Sequence, residues 1–169
     1  MSKVRNIGMA SIVMGDLAAD GGLSTGMTPL GRTYRETASI TQADNSVQDF
    51  LVEEQDDPIE SIVTAKGSTT IVWDVVDFDP EEMKRVWGGE VVDDTWHEPE
   101  ELPVVEQSVK LTPKIGRPFT YPRCSISAVL VYNATRTDIA RIRVTARKLK
   151  PEKEGLPAFI WGEPAAAQA

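Results

Sequence analysis

A single histidine, His97, stands in the whole chain. Any two-histidine metal site is therefore excluded, and a Ser-His-Asp triad would have to use this one imidazole. Such a triad needs its serine presented on a sharp turn, and no G-x-S-x-G occurs. His97, between Trp96 and Glu98, reads as an ordinary surface or strand residue. Gly21-Gly22-Leu23-Ser24-Thr25-Gly26-Met27-Thr28 imitates the spacing of a phosphate-binding loop. Met27 stands where a lysine must reach the β and γ phosphates, so the phosphate charge would go unmatched. Glu53-Glu54-Gln55-Asp56-Asp57, and Asp77 with Asp79, offer hard oxygen ligands of the kind calcium takes. The D-x-D-x-D-G loop with a glutamate at its twelfth position is missing, and Asp79 is better placed as a helix cap. Arg141, Arg143 and Arg147 alternate onto one strand face and could touch phosphates. A sequence pI of about 4.7 and few interleaved aromatics argue against stable nucleic-acid binding. Cys124 is the lone cysteine, so no intrachain disulfide forms; in an alternating strand pattern it reads as a small buried hydrophobe. Asn133-Ala134-Thr135 is a glycosylation sequon, meaningful only in a secreted chain. No catalytic, cofactor-binding or metal-binding set emerges, and the chain is expected not to be an enzyme.

The elements that carry these residues are mostly strands. Val4 to Met14 reads as a first strand. Residues 15–32 hold Gly15, Gly21, Gly22, Gly26, Gly31 and Pro29 with few large apolar groups, the mark of a long loop or arm, mobile or ordered only against a partner. Thr33 to Thr41 reads as a short strand, and Asn45 to Asp57 as a strand running into an exposed acidic turn. Ile71, Trp73 and Val75 alternate with Val72, Asp74 and Val76, which gives a strand with one apolar face. Asp79-Pro80-Glu81-Glu82 is a helix start with cap, proline at the first turn and a capping-box glutamate. Met83, Val86 and Trp87 form its stripe and Gly88-Gly89 its stop, predicting two turns lying across a sheet. From Val104 on the pattern is all strand, with Val105 to Thr112, Cys124 to Tyr132 and Arg141 to Arg147 alternating at period two. Asn133 to Asp138 turns the last two into an antiparallel hairpin. Trp73 and Trp87 are expected in the core.

At 169 residues the chain is expected to form one domain over 1–150, with the Gly-rich arm at 15–32 and a C-terminal tail at 151–169. An apolar fraction of 41% and a charged fraction of 26% place it among globular chains. No apolar run approaches the ~18 residues of a membrane helix. Met1 to Asn6 followed by Ile7 to Met14 has the outline of a secretory signal, but Asp16 interrupts it and Ile12-Val13 suits a strand. The fold class expected is mainly β: an antiparallel β-sandwich or β-barrel with one short flanking α-helix and long loop or terminal arms.

Charge is the most uneven feature. The net charge is −8, yet Glu36 to Glu106 carries 20 acidic and 3 basic residues, while Lys110 to Lys153 carries 11 basic and 2 acidic. Blocks this size set up complementary surfaces over roughly a Debye length of ~8 Å. They could face each other within one molecule. Alternatively the acidic surface of one copy meets the basic surface of the next, a heterologous contact that makes rings or filaments. Candidate interface residues on this view are Glu53, Glu54, Asp56, Asp57, Arg141, Arg143 and Arg147.

The order of segments carries a resemblance. A first strand ending near Met14-Gly15 precedes a variable arm, then "TYRETASIT" and the acidic stretch "EEQDDPIESIVTAKGSTTIVWDVVDFDPEEMKRVWGGE"; "VVEQSVKLTPK", "RCSISAVLVY" and a closing strand ending in "RKLKP" follow. This layout, over nearly the whole chain, resembles phage major tail tube proteins and the inner tubes of contractile injection devices. The resemblance implies six copies per ring, rings stacked into a tube whose inner sheets form a continuous barrel, and DNA as transiting cargo only. It further implies tape-measure, sheath and tail-terminator proteins as partners, no cofactor, no membrane, and a virion location after synthesis in the bacterial cytoplasm. An acidic lumen would repel the DNA backbone and let it slide. A loop and the chain termini bridge adjacent rings in that family; residues 15–32, 45–66 and the tail after Pro151 are the candidates here. Two other readings stay open: another phage head or tail ring or decoration protein, and a β-sandwich that binds sugar or peptide on exposed aromatics.

Overall fold

The computed structural model describes residues 3–163. In chain order its elements are β1 (Ser11–Asp16), β2 (Ser39–Gln42), β3 (Ser46–Val52), β4 (Gln55–Ala65), β5 (Thr69–Val75), α1 (Pro80–Trp87), β6 (Glu90–Val92), β7 (Thr95–His97), β8 (Val105–Thr112), β9 (Phe119–Val131), β10 (Arg141–Lys148) and β11 (Ile160–Trp161). The molecule is mainly β, antiparallel throughout, with one short helix, as the alternating patterns predict. Among the described residues no helix is long and apolar enough to cross a membrane.

The body is one sheet in the order β1-β8-β9-β10-β5-β2, with β11 also paired to β9. β9 is 13 residues long, enough to serve two groups of strands: Phe119 to Ile126 pairs with β8, and Cys124 to Val131 pairs with β10. The sheet folds over along β9 into an open sandwich. Side chains of its two halves share one core, with Met14, Val109 and Tyr121 from one and Ile71, Trp73, Val75, Ile142 and Val144 from the other. The barrel alternative is not realised. Gly8, Met9, Leu111 and Lys114 near the β1 end face Tyr34 to Ile40 near the β2 end across a cavity of about 870 Å³, without strand pairing between them.

The helix forms where its caps predict. Glu82 N–H donates to Asp79 Oδ1 at 2.9 Å and Asp79 N–H donates to Glu82 Oε2 at 3.1 Å, a complete capping box. Val86 is buried, and Trp87 Nε1 donates to the Ala128 carbonyl at 2.9 Å, which seats the helix across β8 and β9. Arg85 reaches from the helix to the carbonyls of Met14, Thr28 and Pro29. That explains a departure from expectation: residues 15–32 lie on their own chain. Leu30 is buried, Thr28 and Met14 exchange backbone hydrogen bonds, and Ser24 N–H donates to Ser108 Oγ. A mostly small-residue segment gains its order from these polar clamps together with one apolar anchor, Leu30.

The tail docks as well, up to Glu163. Phe159 stacks on Tyr121 and Phe119 with ring centres 4.9 and 6.1 Å apart, and Ile160-Trp161 adds a two-residue strand beside β9. The rest of the expected tail, residues 164–169, lies outside the described residues. Cys124 is fully buried, as its strand position predicts, and burial pushes its thiol up to about 12.

Candidate assembly interface

Among the described residues β3 and β4 pair with each other and with no other strand. The sequence reading had Asn45 to Asp57 end in a turn and did not extend a second strand through Pro58 to Ala65. Every residue of β4 is exposed, and only Val52 of β3 is not. The turn is Glu53-Glu54, and a bulge next to it crowds Asp56, Asp57 and Pro58 toward the tip. At the base, Ala43 N–H donates to the Ser68 carbonyl and Gly67 N–H to Asn45 Oδ1, both at 2.9 Å. Glycine is required at 67, because a Cβ there would lie 1.7 Å from the Ala43 carbonyl oxygen. The two chains approach closely at this point, where the hairpin leaves the sheet.

Both hairpin faces carry exposed apolar side chains among polar ones. Val47 lies opposite Val63 on one face, while Ile62 and Phe50 sit on the other, paired with Gln48 and Glu60. Leu51 and Ile59 are also exposed. A two-stranded ribbon is marginal alone in water, and one with Val, Ile, Leu and Phe on both faces has no core to pack against. Its two outer edges also present unpaired backbone groups. Further apolar side chains are exposed at the far end of β9 and β10, namely Val129, Leu130, Tyr132 and Ile139, and on the segment before β8, where Leu102 and Val104 are more than 80% exposed.

The charged candidates divide into two groups. Glu53, Glu54, Asp56 and Asp57 gather at the hairpin tip, and among the described residues none has an ion-pair partner; the same holds for Arg147. Arg141 and Arg143 instead belong to an internal cluster. Antiparallel pairing of β5 with β10 puts Arg143 directly opposite Asp74. Asp74 is only 2% exposed; Arg143 reaches its two oxygens at 3.1 and 3.4 Å, and Arg141 Nε approaches at 3.3 Å. The carboxylate hydrogen bond holds the Arg143 guanidinium above its ordinary range. Arg141 also lies over the Tyr34 ring, 5.0 Å from its centre. Likewise Arg123 makes a bidentate pair with Glu106, at 2.8 and 3.0 Å, and approaches Glu152. Part of each charge block is thus matched inside one molecule. The picture of an acidic middle meeting basic C-terminal strands only between copies needs correction: the strand register brings Asp74 and Glu106 to the basic strands of their own chain.

The residues that sequence reasoning missed here are the apolar ones of the hairpin. Their signal was present in Ile59, Ile62, Val63 and Thr64, but Pro58 and the acidic run ahead of them read as the end of a strand. The tryptophans offer little of an exposed platform. Trp73 is buried, Trp87 and Trp96 pack against each other as a tilted pair with ring centres 5.4 Å apart and both indole N–H groups bonded to carbonyls, and Trp161 is half-exposed under Arg117. His97 is an exposed residue of β7. Among the described residues no three His, Cys, Asp or Glu side chains converge as metal ligands would. Neither the family models nor the curated proteins with which the chain was compared give a match.

Proposed function

We propose that this chain is a structural subunit that assembles with copies of itself, and that its specific role is that of a phage-type major tail tube protein. One observation carries the assembly reading: a hairpin that exposes large apolar side chains on both faces and that, among the described residues, pairs with no other strand and adds nothing to the buried core. Soluble monomers rarely leave contiguous apolar patches beyond a few hundred Å² uncovered, and larger ones mark interaction sites. Burying a Val, Leu, Ile or Phe side chain stabilises by about 1.5–3 kcal/mol each. Covering even part of this hairpin is therefore a strong driving force.

The tube reading rests on the segment layout that resembles tail tube proteins, and the open antiparallel sandwich with one helix is compatible with it. In that role the subunit forms stacked rings, DNA passes through as cargo, and the finished assembly belongs to a virion. A ring or decoration protein of a phage head or tail would share the exposed hairpin but stop at discrete particles. Negative-stain microscopy of the purified protein over a concentration series separates these outcomes. Extended tubes support the tube subunit, closed rings alone support the second role, and a strictly monomeric protein at every concentration overturns both.

A further inference from the structure

Where the hairpin leaves the body, a groove of about 370 Å³ opens between β2, the start of β5, β9 and the end of β10. Phe119, Tyr121 and Phe159 form an aromatic wall, and Lys66 and Lys148 line it with Gln42. No acidic residue lines the groove, and among the described residues neither lysine has an ion-pair partner. Two ammonium groups facing one partly dry groove are an unfavourable arrangement until an anion joins them. Lys148 is held below the ordinary lysine range, first by desolvation and then by Lys66.

We infer that this groove is the socket for the acidic hairpin tip of a second copy of the chain, with Lys66 and Lys148 receiving carboxylates of Glu53, Glu54, Asp56 and Asp57. The inference rests on the self-assembly reading and names the surface that reading leaves open. Its warrant is charge complementarity: four unpartnered carboxylates on one feature, two unpartnered ammonium groups on another. The tip cannot reach its own socket, because Lys66 lies at the base of the same hairpin, and the seven residues of β3 separate base from tip by about 24 Å of extended strand. Tip and socket are different patches, so the contact is heterologous and repeats from copy to copy.

A charge swap tests this. One variant carries Glu53→Lys, Glu54→Lys, Asp56→Lys and Asp57→Lys; the other carries Lys66→Glu and Lys148→Glu. Each alone opposes like charges at every contact, so the concentration needed for assembly, read by sedimentation velocity, should rise at least about tenfold. Mixed in equal amounts they present only opposite charges, since each tip now matches the other variant's socket, and assembly should return. Circular dichroism verifies that both variants are folded. If either folded variant assembles alone as the wild type does, or if the mixture fails to restore assembly, the socket assignment is wrong. A wild-type chain that stays monomeric throughout refutes the self-assembly reading itself, a distinguishable result.

Discussion

Asp74, itself buried, sits between two guanidinium groups in the body of the sheet. A buried carboxylate stripped of its partners is costly, so the Arg141→Ala/Arg143→Ala double variant should lose stability. The loss should approach about 3 kcal/mol, the lower end of the range for broken buried pairs because Arg143 is half-exposed. Arg147→Ala, on the same strand face but without an acidic partner, should stay within about 0.5 kcal/mol of wild type. Urea unfolding of the three proteins gives the comparison. Equal stabilities would mean that the cluster is a solvated coincidence. At the groove by the hairpin base, Lys148 faces Lys66, Tyr121 and, across the β9–β10 register, Cys124. Burial raises Tyr121 and Cys124 to about 12, so both stay neutral in the range just below the ordinary lysine value. Lys148 has a lowered pKa in the isolated subunit and releases its proton before an ordinary lysine does. A bound carboxylate favours the charged form, so the assembled state holds more protons over this range. Assembly should therefore weaken as pH rises, beginning below 10.5, the ordinary lysine value. Lys148→Gln should flatten that dependence, and a profile identical to wild type would detach Lys148 from the contact.

The elements were legible to different degrees, each for a physical reason. α1 could be read to the residue because proline, a carboxylate cap, an apolar stripe and a glycine stop all agree. The strands with one apolar face, β5, β8 and β10, were legible because one side meets a core and the other does not. β4 was not, because it meets no core at all; its sequence mixes charge, proline and β-branched residues, and alternation cannot report a face that the monomer never buries. The segment 15–32 was read as an arm because its anchors are backbone carbonyls taken by Arg85, and no sequence pattern encodes an acceptor that every residue carries. Of the candidate interface residues, the acidic tip was evident from composition, whereas the assignment of Arg141 and Arg143 to Asp74 required the strand register. The base of the hairpin depends on one close backbone approach, at Gly67. Gly67→Ala would place a methyl group against the Ala43 carbonyl, and the two chains must separate there. A local destabilisation of roughly 1–3 kcal/mol is expected. Amide exchange should quicken across Ser46–Ala65 while the β9–β10 amides keep their protection; a uniform change would show that the base is not a separate hinge.

At the scale of the whole molecule, the core and the apolar hairpin are separate. No residue of Ser46–Ala65 belongs to the buried cluster that unites β1, β5, β8, β9, β10 and the helix. Folding of the body draws on that cluster, while the hairpin contributes exposed apolar surface and, at its tip, carboxylates without ion-pair partners among the described residues. Replacing residues 46–65 with a two-residue turn should consequently leave a folded sandwich whose thermal midpoint lies within a few degrees of wild type, since little buried area is lost. The same excision should abolish growth beyond the monomer, read as loss of scattering at concentrations where the wild type assembles. Salt separates the two components that the hairpin supplies. Raising ionic strength from 0.1 to 1 M shortens the Debye length from about 10 to about 3 Å, weakening a tip held by lysines while leaving apolar burial nearly intact. Wild-type assembly should accordingly weaken with salt but not vanish. A variant with Phe50→Ser and Ile62→Ser should assemble poorly even at low salt, because charge steers encounter but apolar area holds the product. If excising the hairpin leaves assembly unchanged, the contact between copies lies elsewhere, and the exposed end of β9 and β10 with Val129, Leu130 and Ile139 becomes the surface to mutate next.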